Sequence, residues 1–227
     1  MNKQKLIYPF VFVTCLFLIT GSSILQQNII TPDLTKIAEG DWQLFNRTAK
    51  VIKENDKTGV YFEAKLGGGG AWLKETEFTN GMIECDIKGK NAPGRSFVGI
   101  AFRGVDEKTY DAVYFRPFNF KSDDPARRSH GVQYISHPAN TWSKLRTEHP
   151  NVYENDVDPV PDPNAFFHVR LVIEKPKVSV YVNDAKEPCL VVDELTDRKG
   201  GWVGLWMGNN SDGTFANLKI AQATKKN

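Results

Sequence analysis

The sequence predicts an all-β protein, a two-sheet antiparallel β-sandwich, and three observations lead there. Turn-forming clusters punctuate the chain every eight to fifteen residues over most of its length, at 55–59, 67–70, 80–81, 91–94, 183–184, 199–201 and 209–213. Between them lie ten strand-length runs whose apolar residues recur at every second position, the period of a pleated strand. No stretch carries the spacing of an amphipathic helix. Short strands in regular succession bury their apolar faces by stacking as two sheets.

Each run has its own justification. After 60–66, the run 82–88 (MIECDIK) sets Ile83, Cys85 and Ile87 against Glu84, Asp86 and Lys88. In 96–103, Val98, Ile100 and Phe102 oppose Gly99, Ala101 and Arg103. In 109–116, Val113 and Phe115 oppose Tyr110, Ala112, Tyr114 and Arg116, and Pro117 ends the strand. The run 130–136 continues the alternation, with the open space beside Gly131 favouring an outward Gln133. Residues 166–175 and 178–183 form a hairpin across Glu174, Lys175, Pro176 and Lys177. The short run 190–193 follows, and in 202–207 Trp202, Gly204 and Trp206 turn away from Val203, Leu205 and Met207. The last run is 215–220. The outward sides of 82–88, 96–103 and 109–116 are expected to share one face, a floor of carboxylates, arginines and tyrosines suited to a polar, ring-shaped ligand.

At 227 residues and 41% hydrophobic side chains, one domain with a full core is expected, spanning 41–223 with a tail at 224–227. Lys3 and Lys5 precede an apolar run that is short for a membrane span and is followed by Gly21, Ser22 and Ser23. Residues 1–23 therefore read as a cleaved signal peptide and 24–40 as a spacer, giving a secreted or periplasmic protein without a membrane span in its mature chain. Loss of the two lysines takes the formal charge from +2 to 0, which leaves no basic field to attract nucleic acid. Cys85 and Cys189 sit in apolar runs and read as separate buried thiols.

Two long segments, 119–129 and 138–164, flank the strand at 130–136 and are expected to wall one end of the outward face. On and around that face, Glu84 and Asp86 are the candidate catalytic carboxylates, or else solvated surface charge. Arg103, Tyr114, Arg116, Asn119, Gln133 and Trp142 are the candidate saccharide-binding residues. The arginines serve equally as planar donors to a ligand or as cross-strand partners of Glu84 and Asp86. Trp42, Trp202 and Trp206 are either core or stacking platforms, whereas Trp142 lies in a polar loop and is the best-placed stacker. His130 and His137 lack a third ligand, so neither zinc nor a Ser-His-Asp triad is indicated. No cofactor is required by these residues. The oxygen-rich turn Asn209, Asn210, Ser211 and Asp212 has the composition of a structural calcium site, although turn chemistry explains it without an ion.

The closing stretch GGWVGLWMGNNSDGTFANLKI and the hairpin FHVRLVIEKPKVSVYVND resemble the final strands of concanavalin A-like lectin and glucanase domains, including the laminin-G-like group. The segment FTNGMIECDIKG is similar to the bacterial 3-keto-disaccharide hydrolase-like domain, often classed with family 16 glycoside hydrolases. The resemblance implies a jelly roll and a glycoside hydrolase-like activity on an oligo- or polysaccharide. A non-catalytic carbohydrate-binding module and an adhesion domain are the alternatives. The family 16 motif Glu-x-Asp-x-x-Glu is incomplete, because Gly89 stands at its third acidic position. A hydrolytic site would then draw its second carboxylate from elsewhere, with Glu148, Asp111 and Asp212 as candidates.

Overall fold

The computed structural model describes residues 27–223. The expected signal peptide, the first residues of the spacer and the tail lie outside them. Two antiparallel sheets stack face to face. The first runs β13 (Leu190–Asp193), β12 (Lys177–Val182), β11 (Phe167–Glu174), β6 (Gly81–Lys88), β15 (Gly213–Ala223), β4 (Lys57–Phe62) and β3 (Ala49–Glu54), with β1 (Gln27–Ile30) paired to the end of β15. The second runs β10 (Glu154–Asn155), β9 (Val132–His137), β8 (Tyr110–Phe115), β7 (Val98–Gly104), β14 (Gly201–Met207), β5 (Gly69–Phe78) and β2 (Trp42–Phe45). The protein is thus an all-β two-sheet sandwich, as its alternating runs predict, and a jelly roll, as the resemblance implies.

The main core lies between the sheets. Ile83, Cys85 and Ile87 of β6 and Val169, Leu171 and Ile173 of β11 meet Val98, Ile100 and Phe102 of β7 and Val113 and Phe115 of β8. Every inward residue named from sequence for these strands is buried there. Cys85 and Cys189 are both buried and unpaired.

The layout departs from expectation at several points, among them strands β2, β3 and β10, which fall outside the ten expected runs. Strand β1 falls within the stretch expected to be a spacer. Residues Gly69 and Gly70 of the glycine run begin β5 rather than completing a turn, because a Cβ at Gly70 would stand 2.0 Å from the Leu205 carbonyl oxygen across the strand pair. Glycine's low strand propensity hides such a strand from sequence. The first long segment contains the one-turn helix α1 (Pro125–Arg128) and the second the helix α2 (Trp142–Glu148), capped by the Thr141 hydroxyl, which accepts from the Lys144 amide. Only Leu145 of that helix is buried, so its apolar periodicity is too weak to predict it.

Candidate functional site

A second apolar layer covers the outer face of the second sheet. Phe45, Trp72, Tyr110, Tyr114, Ile135 and Trp206 form it, with Phe97 and Trp202 packed alongside. Glycines make room for it: Trp72 lies flat over Gly104 and Gly204, where added Cβ atoms would meet its ring at 2.8 and 2.5 Å. Trp206 donates from Nε1 to the Tyr110 hydroxyl at 2.9 Å and tilts against Tyr114 at a centroid separation of 5.0 Å. Above this floor opens a hollow of about 970 Å³, walled by Trp142 and Arg146 of α2 and by Phe118 and His130, which flank the first long segment on either side. The second long segment thus walls it as expected, whereas the first supplies none of the lining residues itself.

One end of the hollow is polar. Arg116 is 5% exposed, and its guanidinium donates to the His130 carbonyl at 3.0 Å, to the Tyr114 hydroxyl and to Gln133 Oε1. The Tyr114 hydroxyl in turn donates to Gln133 Oε1 at 2.8 Å, and Gln133 Nε2 donates to the Trp142 carbonyl at 3.3 Å. Burial pushes Tyr114 up to about 12 and, against the opposing pull of Glu154, holds His130 below its ordinary range. Arg146 grips the buried Glu154 through Nε at 3.0 Å and Nη2 at 2.7 Å, while its guanidinium lies 5.2 Å from the Trp142 ring centre. His130 Nδ1 stands 2.9 Å from the same carboxylate.

Of the residues singled out from sequence, Tyr114, Arg116 and Trp142 line this hollow. Gln133 faces outward but is fully buried, so it supports Arg116 and Tyr114 from beneath. Asn119 sits in the short turn after Arg116, where its side chain reaches the His130 carbonyl at 3.4 Å.

Glu84, Asp86 and Arg103 do not join them, which corrects the single shared floor. Strand β6 belongs to the first sheet, so Glu84 and Asp86 point from the opposite outer face of the sandwich. The alternation of β6 is satisfied whichever sheet it enters. Arg103 has a left-handed backbone (φ 54°) where the β7–β14 register shifts. Such a bulge re-aims a side chain. Its guanidinium is fully buried against Glu194, 2.8 Å away, and the Thr79 and Lys199 carbonyls. The other acidic candidates lie elsewhere too: Asp111 is buried with Tyr134 and Arg198, Glu148 ends α2, and Asp212 pairs with Lys90.

Glu84 and Asp86 instead build a charge cluster. Asp86 accepts from His168 Nδ1 at 2.8 Å, Lys57 at 2.8 Å and Asn217 at 2.7 Å, while Glu84 pairs with Lys219 at 3.0 Å. Burial works to raise the Asp86 pKa, but those three donors outweigh it and hold it at about 2, against an ordinary 3.8. The Asp86 hydrogen bond raises His168 above its ordinary 6.5. The Asp86 contribution is complete above pH 3.8 and lost as pH falls through about 2; the His168 contribution is complete below 6.5 and lost as pH rises through its folded pKa. The stability gap between the parent and Asp86→Asn should therefore be widest between those limits, on the order of 2 kcal/mol, and narrow on either side. Urea titrations at stepped pH measure it, and a gap that is flat with pH contradicts the assignment.

The turn at 209–212 is engaged by protein donors. Asn209 Oδ1 accepts from the Gly67 amide at 2.7 Å, Ser211 Oγ from the Phe97 amide at 3.0 Å, and Asp212 from Lys90 and Tyr61. Among the described residues no group of three or more His, Cys, Asp or Glu side chains is placed to hold a metal, and no helix is long and apolar enough to cross a membrane.

Tyr110, Phe97, Arg146 and Glu154 were not anticipated as site residues. Tyr110 and Trp206 were legible as outward-facing, yet an outward face gives no notice that it is roofed. Arg146 stands four residues after Trp142, a helical spacing that Thr141 as a cap would have revealed.

The sandwich recurs among solved structures. Carbohydrate binding module CBM66 from Bacillus subtilis superposes with a TM-score of 0.57 at 15% identity, over 79% of this chain and 95% of that one. A family 16 glycoside hydrolase endo-glucanase from Bacteroides ovatus gives 0.52 at 11%, over 86% and 94%. The exoplasmic/lumenal domain of VIP36 in its Ca2+/Man3GlcNAc-bound form gives 0.54 at 11%, over 82% and 85%. At these identities the likeness is one of fold. No family model matches the sequence, and no curated protein does.

Proposed function

We propose that this protein binds a saccharide in the hollow on the second sheet, without cleaving it, and that it does so outside the cytoplasm. The observation that carries the reading is the hollow itself: an aromatic floor with convergent polar groups at one end and an exposed tryptophan on its wall. Sugar rings present apolar C–H faces to aromatic side chains and hydroxyls to fixed donors. The shared architecture with CBM66 and with a mannose-oligosaccharide-bound VIP36 domain supports it. Export rests on the charge and hydropathy pattern of residues 1–23.

Binding is favoured over hydrolysis by the state of the carboxylates. Glycoside cleavage needs one free acid and one free base or nucleophile on opposite sides of the bond. Glu107 lies at the rim of the hollow, and Glu154 beneath it is already held by Arg146 through two nitrogens. Glu84 and Asp86, the expected catalytic pair, face away on the other sheet.

A glycan array with reducing-end release monitored on every hit tests the reading. Trp142 is 49% exposed, so Trp142→Ala should leave the fold intact while weakening binding about tenfold or more. Undiminished affinity in that variant, or turnover of a bound glycan, would count against the proposal.

A further inference from the structure

The charges at the polar end of the hollow do not balance. Arg116 and Arg146 both point there, and Glu154 is the carboxylate between them. That carboxylate is spent on Arg146, with Nε and Nη2 both bonded to it, while Arg116 Nη1 stays 4.0 Å away. The other partners of Arg116 are neutral oxygens: the His130 carbonyl, the Tyr114 hydroxyl and the Gln133 amide. His130 adds no positive charge at neutral pH, since burial keeps its pKa low. The remaining charged wall residues, Glu107 and Lys108, are opposite in sign and sit beyond the far end of β8, roughly 20 Å along the strand.

One guanidinium is therefore in excess at a position only 5% exposed. Folded proteins keep buried charges paired, because an unpaired one loses its hydration without compensation. The neutral cradle fixes the orientation of the Arg116 fork but supplies no counter-charge. Arg146 leaves Nη1 uncommitted beside it, so two planar donors border one pocket end that opens to the hollow.

Resting on the saccharide reading, we infer that the ligand of this hollow is an acidic saccharide, whose carboxylate or sulfate group docks between Arg116 and Arg146 while its rings lie along Trp142 and Trp206. The anion completes the charge balance, and the aromatic floor takes up the rest of the chain. A neutral glycan satisfies the stacking but leaves the excess charge uncompensated.

The test is an array of neutral, uronate-bearing and sulfated glycans, followed by titration calorimetry of the best acidic hit beside its neutralised counterpart, methyl-esterified or desulfated. The acidic form should bind about tenfold tighter or better, and raising salt should narrow that difference. Arg116→Gln removes the excess charge but risks the fold, so Arg146→Gln on the surface of α2 is the second variant. In it Glu154 is released to neutralise Arg116, and the ratio of acidic to neutral affinity measured within that variant should collapse toward one, whatever the change in absolute affinity. Equal binding of both forms, or a preference for neutral glycans, overturns the acidic inference and leaves the saccharide reading standing. Binding of no glycan at all overturns both.

Discussion

Replacing Arg103 with Leu is expected to remove about 3–5 kcal/mol of stability, because it leaves the Glu194 carboxylate buried beside a single remaining cation. Glu194 receives Arg103 through Nε at 3.1 Å and Nη2 at 2.8 Å, and Lys175 at 3.2 Å. The same guanidinium donates to the Thr79 and Lys199 carbonyls, so its loss also orphans two backbone acceptors. Those contacts tie the turn between β5 and β6 to the segment entering β14, at one end of the sandwich. A double variant, Arg103→Leu with Glu194→Leu, should recover part of the loss, since the stranded charge is gone while the orphaned carbonyls remain. Urea midpoints for the three proteins read this out. A single-variant loss below about 1 kcal/mol would show that the pair is not insulated from water as its burial implies.

The second large effect is expected at Trp72. Truncation to Ala should cost about 3–5 kcal/mol, the range for emptying a large aromatic site. Trp72 is fully buried on the outer face of the second sheet, stacked on Phe45 at 5.6 Å and tilted against Tyr110 at 5.5 Å and Trp202 at 6.3 Å. It forms the bed on which the hollow's floor is laid, so saccharide affinity should fall along with stability. The companion variant Gly204→Ala places a methyl 2.5 Å from the ring and should cost about 1–3 kcal/mol by overpacking. In the Trp72→Ala background most of that penalty should disappear, because the ring it strikes is gone and only the Ala71 carbonyl oxygen, 3.0 Å away, still crowds the methyl. Thermal or denaturant unfolding of the four proteins closes the cycle, and additive losses would mean that the indole does not occupy the glycine niche.

These positions show how much was legible beforehand. The alternation of Val98, Ile100 and Phe102 against Gly99 and Ala101 named the inward face of β7 correctly, and the outward parity of Trp206, Tyr114 and Arg116 placed three neighbours of the hollow. The same parity rule misassigned Glu84 and Asp86, since it says that a residue faces out without saying from which sheet. Arg103 failed for another reason: a bulge at its own position broke the period on which the expectation relied.

The sequence by itself determined ten of the fifteen described strands, their buried sides and hence the class of fold, because a period of two is written in adjacent residues and needs no distant partner. Tertiary structure alone decided that the carboxylates of β6 and the arginine just after β8 look away from each other, that Glu154 is spent on Arg146, and that Arg116 is left with a charge unmatched. Each of those facts depends on which strands become neighbours after residues far apart in the chain have paired, and local pattern carries no record of that choice.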